Sequence, residues 1–218
     1  MDPQHAGRGY LALPESGAGP GVLVLHSWWG LNAVFRDVCD RLAARGFVAL
    51  APDLFGGQVA DTVAEAEALL AQADPNELAH LSRSSLSALR GMPATPDGPV
   101  GVIGFSMGAS LGLWLSTREA EYVAATVAFY GGQDIDFIDS RSAYLGHFAG
   151  VDADPYLDED SLVLLEADLH LLGLDTTFHR YPGARHWFLE PDRPEHDAGA
   201  AALAWDRTVA FLHQHLDL

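Results

Sequence analysis

Short apolar runs alternate with amphipathic stretches along this chain, and that order constrains the fold more than any other feature. "VLVLH" (22–26) is a continuous apolar run bounded by glycine, which suits a buried strand. "NAVFRDVCDRLAARG" (32–46) predicts a helix, with Val34, Val38, Leu42 and Ala43 on one face and Gly46 at the stop. "FVALAPDL" (47–54) predicts the next strand, and 62–73 and 76–92 predict two helices. "VGVIGF" (100–105) reads as a strand, 107–120 as a helix and 123–131 as a strand. A strand at 143–150, a helix at 159–173, a strand at 176–183 and a helix at 196–216 complete the series. Such alternation requires crossover connections, and therefore a mostly parallel sheet covered by helices on both faces. The 218 residues suit one α/β domain, with a flexible tail at 1–9 and a Gly/Pro-rich loop at 15–21. Reacting groups in such a sheet gather beyond the carboxyl ends of its strands.

At 49% hydrophobic and 19% charged residues, the chain has ample material for a core. The net charge of −18 would be repelled by a phosphate backbone or an anionic membrane, so neither nucleic acid nor lipid headgroups are expected partners. The acidity itself reads as a solubility feature. The one cysteine, Cys39, allows no intrachain disulfide and no cysteine-based zinc site, which favours a reducing compartment. "MDPQHAGRGY" has no apolar signal region, and no apolar run approaches the roughly 18 residues of a membrane span. The expected location is the cytoplasm.

"GFSMG" places Ser106 between Gly104 and Gly108, directly after a strand and at the opening of a helix. A nucleophile elbow needs that context, because the turn is too sharp for side chains at the glycines. The helix N-terminus adds partial positive charge near a developing oxyanion. The competing reading is an ordinary N-cap serine.

A serine hydroxyl needs a general base within hydrogen-bond reach. His186, in "YPGARHWFLEP" after the last strand, is the best placed of ten histidines. His213 and His215 face different sides of the final helix, His170 and His179 sit within a helix and a strand, and His26 and His147 could be structural. No helical His-x-x-x-His spacing suggests a metal site. The base in turn needs an orienting carboxylate. Asp152 comes first past the strand end and ranks first, with Asp154 second, while Asp134, one strand earlier, is a decoy that also fits the chain order. Two backbone N–H groups would complete an oxyanion hole, one from Met107 and the other from Trp28 in "SWWGLN". Ser27, Trp29, Phe35 and Trp187 are candidate substrate-pocket residues, with Phe55 and Phe188 as further apolar wall; packing is the alternative for each.

At these residues the chain resembles the dienelactone hydrolase family of α/β-hydrolases. The resemblance runs from "GVLVLHSWWGLNAVFRDVCDRLAARGFVALAPDLFGG" through "GVIGFSMG" and "VAFYG" to "LGHFAGVDADP" and "YPGARHWFLEPDRPEHD". It implies the α/β-hydrolase fold and hydrolysis of an ester or lactone through a covalent acyl-enzyme. It implies no metal and no organic cofactor. Carried over by position, the triad is Ser106, Asp152 and His186, with Trp28 and Met107 as oxyanion donors. The family's usual nucleophile is a cysteine, where this chain has Ser106. Its usual glutamate in the "His-x-Trp-Trp-Gly" stretch is replaced by Ser27. A thiolate can be prepared in the resting state with help from a carboxylate, whereas a serine relies on concerted transfer to histidine, so the two changes read as one switch. Glu190 stands where the family would place a substrate-binding arginine, and 46–82 holds no Lys or Arg. Neutral small esters are therefore expected over an anionic lactone. The rival readings are a thioesterase or peptidase on the same triad, and an inactive binding protein on a hydrolase scaffold. The chain is expected as a monomer or homodimer.

Overall fold

The computed structural model describes residues 9–150 and 154–216. In chain order its elements are β1 (Gly9–Ala12), β2 (Gly21–Leu25), α1 (Ala33–Ala43), β3 (Val48–Pro52), α2 (Val63–Gln72), α3 (Pro75–Arg90) and β4 (Val100–Phe105). There follow α4 (Met107–Arg118), β5 (Val123–Phe129), β6 (Ala143–Ala149), α5 (Glu159–Leu171), β7 (Thr176–Tyr181) and α6 (Ala198–His215). The strands form one 7-stranded sheet in the order β1-β3-β2-β4-β5-β6-β7. All neighbours are parallel except β1, which pairs antiparallel with β3 through Tyr10↔Ala51 and Leu11↔Leu50. This is the mostly parallel, two-face-covered sheet that the alternation implies, and the α/β-hydrolase architecture that the resemblance implies. The sequence reading assigns no strand to β1, and it counts Gly9 in the tail.

The helices begin where the sequence supplies caps. Asn32 accepts from the Val34 and Phe35 amides at 3.0 and 3.4 Å to start α1. Thr62 and Glu65 form a reciprocal capping box on α2. Asp74 caps α3, with Pro75 in the first turn where its missing N–H costs nothing. α1 and α6 cover one face of the sheet with Phe35, Val38, Leu42, Trp205, Val209 and Leu212. Leu78, Leu86 and Leu89 of α3 and Leu115 of α4 cover the other, continued by Leu165 and Leu169 of α5. Among the described residues no helix is long and apolar enough to cross a membrane.

β2 has β3 on one side and β4 on the other, so successive connections leave it in opposite directions. In sheets of this kind reacting groups gather where the loops after such strands, here β2 and β4, leave the carboxyl ends. Ser27 and Trp28 lie on the first of these loops and Ser106 on the second.

Candidate active site

Ser106 joins β4 directly to α4 with φ 52° and ψ −113°, outside the helical and extended regions. It stands at the N-cap position of α4, yet its side chain makes no capping bond. Instead Ser106 Oγ lies 2.9 Å from His186 Nε2. The glycines that flank it are required by close approach. A Cβ on Gly104 would overlap the Gly108 carbonyl, and a Cβ on Gly108 would overlap the Leu25 carbonyl oxygen. The same contact sets the first turn of α4 against Leu25 and His26 at the end of β2, the segments that carry Met107 and Trp28. Neither of their backbone N–H groups meets an acceptor among the described residues.

His186 is buried, and its Nδ1 lies 2.8 Å from both carboxylate oxygens of Asp154. Since a carboxylate only accepts, Nδ1–H donates to Asp154, which leaves Nε2 to accept from Ser106 O–H. Asp154 is itself held by the Tyr156 and Leu157 amides at 2.9 and 3.2 Å. The carboxylate on His186 is thus that of Asp154, ranked second from sequence, while Asp152, ranked first, lies outside the described residues. The reason is local: Asp154 opens a turn whose amides grip its side chain and aim it at the imidazole, a register that position along the chain does not reveal. Asp134 is exposed in the loop after β5.

The aromatic candidates divide. Trp28, Trp29 and Trp187 form one cluster with ring centroids 5.1–5.7 Å apart, within which Trp29, expected as pocket wall, is fully buried core. Trp187 adjoins the His186 ring at 5.1 Å and has φ 65°, which the tight turn after His186 imposes. Phe35, expected as pocket wall, is instead fully buried core, packed on Phe105 at 5.2 Å. Phe188 is likewise buried. Tyr156, missed from sequence, is half exposed and closes the cluster's outer side, 4.9 Å from His186 and 5.3 Å from Trp28. Burial raises its hydroxyl pKa first, and the negative charges of Glu67, Glu195 and Asp154 raise it further.

Ser27 touches no open space. It is buried, with its Oγ 3.5 Å from Glu190 Oε2. Tyr130 O–H donates to Glu190 Oε1 at 2.9 Å. Tyr130 is buried just past β5 at φ 38°, its ring 5.0 Å from that of His186. So a carboxyl group does lie beside Ser27, but it comes from Glu190, not from the loop after β2. Glu190 is fully buried, and desolvation pushes its pKa from 4.5 to about 8.

The other buried titratable groups are structural. His26 Nδ1–H donates to the Ser27 carbonyl at 2.7 Å, and its Nε2 accepts from the Leu54 amide at 3.0 Å. Desolvation lowers its pKa to about 4, so it stays neutral and ties β2 to the loop after β3. His147 bridges Tyr181 and Thr208 at 2.8 and 3.0 Å, and burial keeps it neutral too. Cys39 is buried in α1, and burial pushes its thiol up to about 12. Among the described residues no cluster of three or more His, Cys, Asp or Glu side chains is placed to hold a metal.

The sequence profile of the dienelactone hydrolase family matches residues 8–216. The protein usf of Aquifex pyrophilus is 33% identical, over 96% of this chain and 94% of its own. A protein of Aquifex aeolicus provisionally named carboxymethylenebutenolidase is 30% identical, with the same coverage. Among solved structures, a dienelactone hydrolase-like promiscuous phosphotriesterase from metagenomic libraries superposes with a TM-score of 0.82 at 26% identity. That match covers 95% of this chain and 92% of the other.

Proposed function

From the fact that the chain belongs to the dienelactone hydrolase family, hydrolases of ester and lactone bonds, we propose that it is a serine-dependent enzyme that cleaves small neutral carboxylic esters or lactones through a covalent acyl-enzyme. One observation carries the reading: Ser106 is held at a strained φ with no capping bond, and its hydroxyl is aimed at a histidine braced by a buried carboxylate. As Ser106 Oγ attacks the carbonyl carbon, its proton passes to His186 Nε2. Asp154 stabilises the imidazolium and keeps the ring in the productive tautomer. The Met107 and Trp28 N–H groups receive the oxyanion, where fixed dipoles act without reorganising. Collapse of the tetrahedral adduct expels the alcohol, which takes the proton from His186. Water then attacks the acyl-Ser106 with His186 again as base, and releases the acid.

The carboxylates around Tyr156 support neutral substrates, because they give the entrance negative potential. Arg193, on the turn after Glu190, is already engaged: its guanidinium lies 4.0 Å from the Trp29 ring, 3.0 Å from Asp192 and 3.1 Å from the Asp61 carbonyl. The test is a pre-steady-state measurement with p-nitrophenyl esters of graded acyl length, beside amide and thioester analogues. The expected result is a burst of about one nitrophenol per chain with esters, lost in Ser106→Ala. Absence of any ester turnover by folded protein would overturn the reading in favour of a binding scaffold.

A further inference from the structure

Glu190 joins three segments, two of which carry groups that the proposed chemistry uses. Its own backbone N–H donates to the Trp187 carbonyl at 2.9 Å, closing the turn that begins at His186. Its Oε1 accepts from Tyr130, whose ring packs on His186. Its Oε2 meets Ser27, the residue before the Trp28 amide. A fully buried side chain with these contacts serves as a common anchor for the base and one oxyanion donor.

We propose that Glu190 is a positioning residue, which holds the His186 turn, the end of β5 and the Ser27–Trp28 loop in register only while its carboxyl is neutral. This rests on the acyl-enzyme reading above. Two hydroxyls are too few donors for a carboxylate without water, since ionised oxygens call for about four. The charged form therefore draws water into the anchor and loosens the segments bound to it. The titratable and charged groups that face it are Tyr130, just past β5, and, on its own turn, Asp192 and Arg193; His186 lies beyond the Tyr130 ring. Desolvation favours the neutral form most, Tyr130 opposes it by hydrogen bonding, Asp192 adds to it, and Arg193 and Ser27 oppose it. The neutral carboxyl is therefore the major form up to about pH 8.

The test is the rate at which a fluorophosphonate labels Ser106, followed against pH in the wild type, Glu190→Gln and Tyr130→Phe. The wild-type rate is expected to fall on the alkaline side of about pH 8, by about tenfold one pH unit beyond the midpoint. Glu190→Gln cannot ionise, and should hold its own plateau through that range. Tyr130→Phe removes a donor to the ionised form, so its falling limb should move to higher pH. An unchanged limb in Glu190→Gln, or an unmoved one in Tyr130→Phe, with Ser106 labelled in each, would overturn this inference alone. No labelling at any pH would overturn the serine reading and this inference together.

Discussion

Replacing Glu190 by glutamine should change how stability depends on pH, and the sign follows from burial. A carboxyl with a pKa of about 8 in the folded chain and about 4.5 when unfolded is bound to its proton more tightly in the native state. Stability from this group is then full below about pH 4.5, declines as pH rises, and is lost above about pH 8. At 1.36 kcal/mol per pH unit, the wild type would lose about 5 kcal/mol relative to Glu190→Gln across that window. This is an upper limit, because water entering the anchor relieves part of the cost. Unfolding free energies from urea titrations, read by fluorescence of the five tryptophans, would measure it. The difference between wild type and variant cancels the other titrating groups, including His26 and His147, whose lowered pKa values act on the acid side. A loss of several kcal/mol between acid and alkaline pH is expected. A difference that stays constant with pH would refute the argument that burial holds this carboxyl neutral.

Three further outcomes follow from the geometry. Asp154→Asn should lower kcat by roughly 10³- to 10⁴-fold through loss of the His186 tautomer, whereas Asp134→Asn should leave ester turnover within about twofold; steady-state kinetics separates them. Gly108→Ala would drive a Cβ into the Leu25 carbonyl, and should cost roughly 2–4 kcal/mol in denaturant unfolding, with loss of Ser106 labelling in what remains folded. Cys39, buried with its thiol pushed up to about 12, should resist iodoacetamide at mildly alkaline pH until the chain is unfolded, as mass spectrometry would show.

Much of the fold is legible in the sequence because each strand from β2 to β6 is a largely apolar run with its own stop signal. β1 is not: its burial is partial, and its pairing with Tyr10 opposite Ala51 is a distant contact. The strand predicted at 123–131 ends at Phe129, because Tyr130 turns to φ 38° to face Glu190. Ser106 and His186 are legible because the elbow needs fixed neighbours and the last strand ends in one loop. The choice between Asp152 and Asp154 depends on which turn amides hold the side chain, and composition carries no trace of that. Glu190 is hidden for a related reason. Its partners lie 163 and 60 residues away along the chain, and a charged letter usually means a solvated side chain. The available signal was its setting in "WFLEP", a carboxylate among apolar neighbours. Phe35 errs in the opposite direction, since an aromatic near a site is as readily core as wall.

The central claim is that Ser106 is an activated nucleophile, and covalent labelling tests it most directly. Folded protein would be treated with a fluorophosphonate, digested and mapped by mass spectrometry, with iodoacetamide as the thiol control. The account predicts a single adduct on Ser106, absent in His186→Ala, and no alkylation of Cys39. Folded protein that carries no adduct, or an adduct that persists without His186, would contradict it.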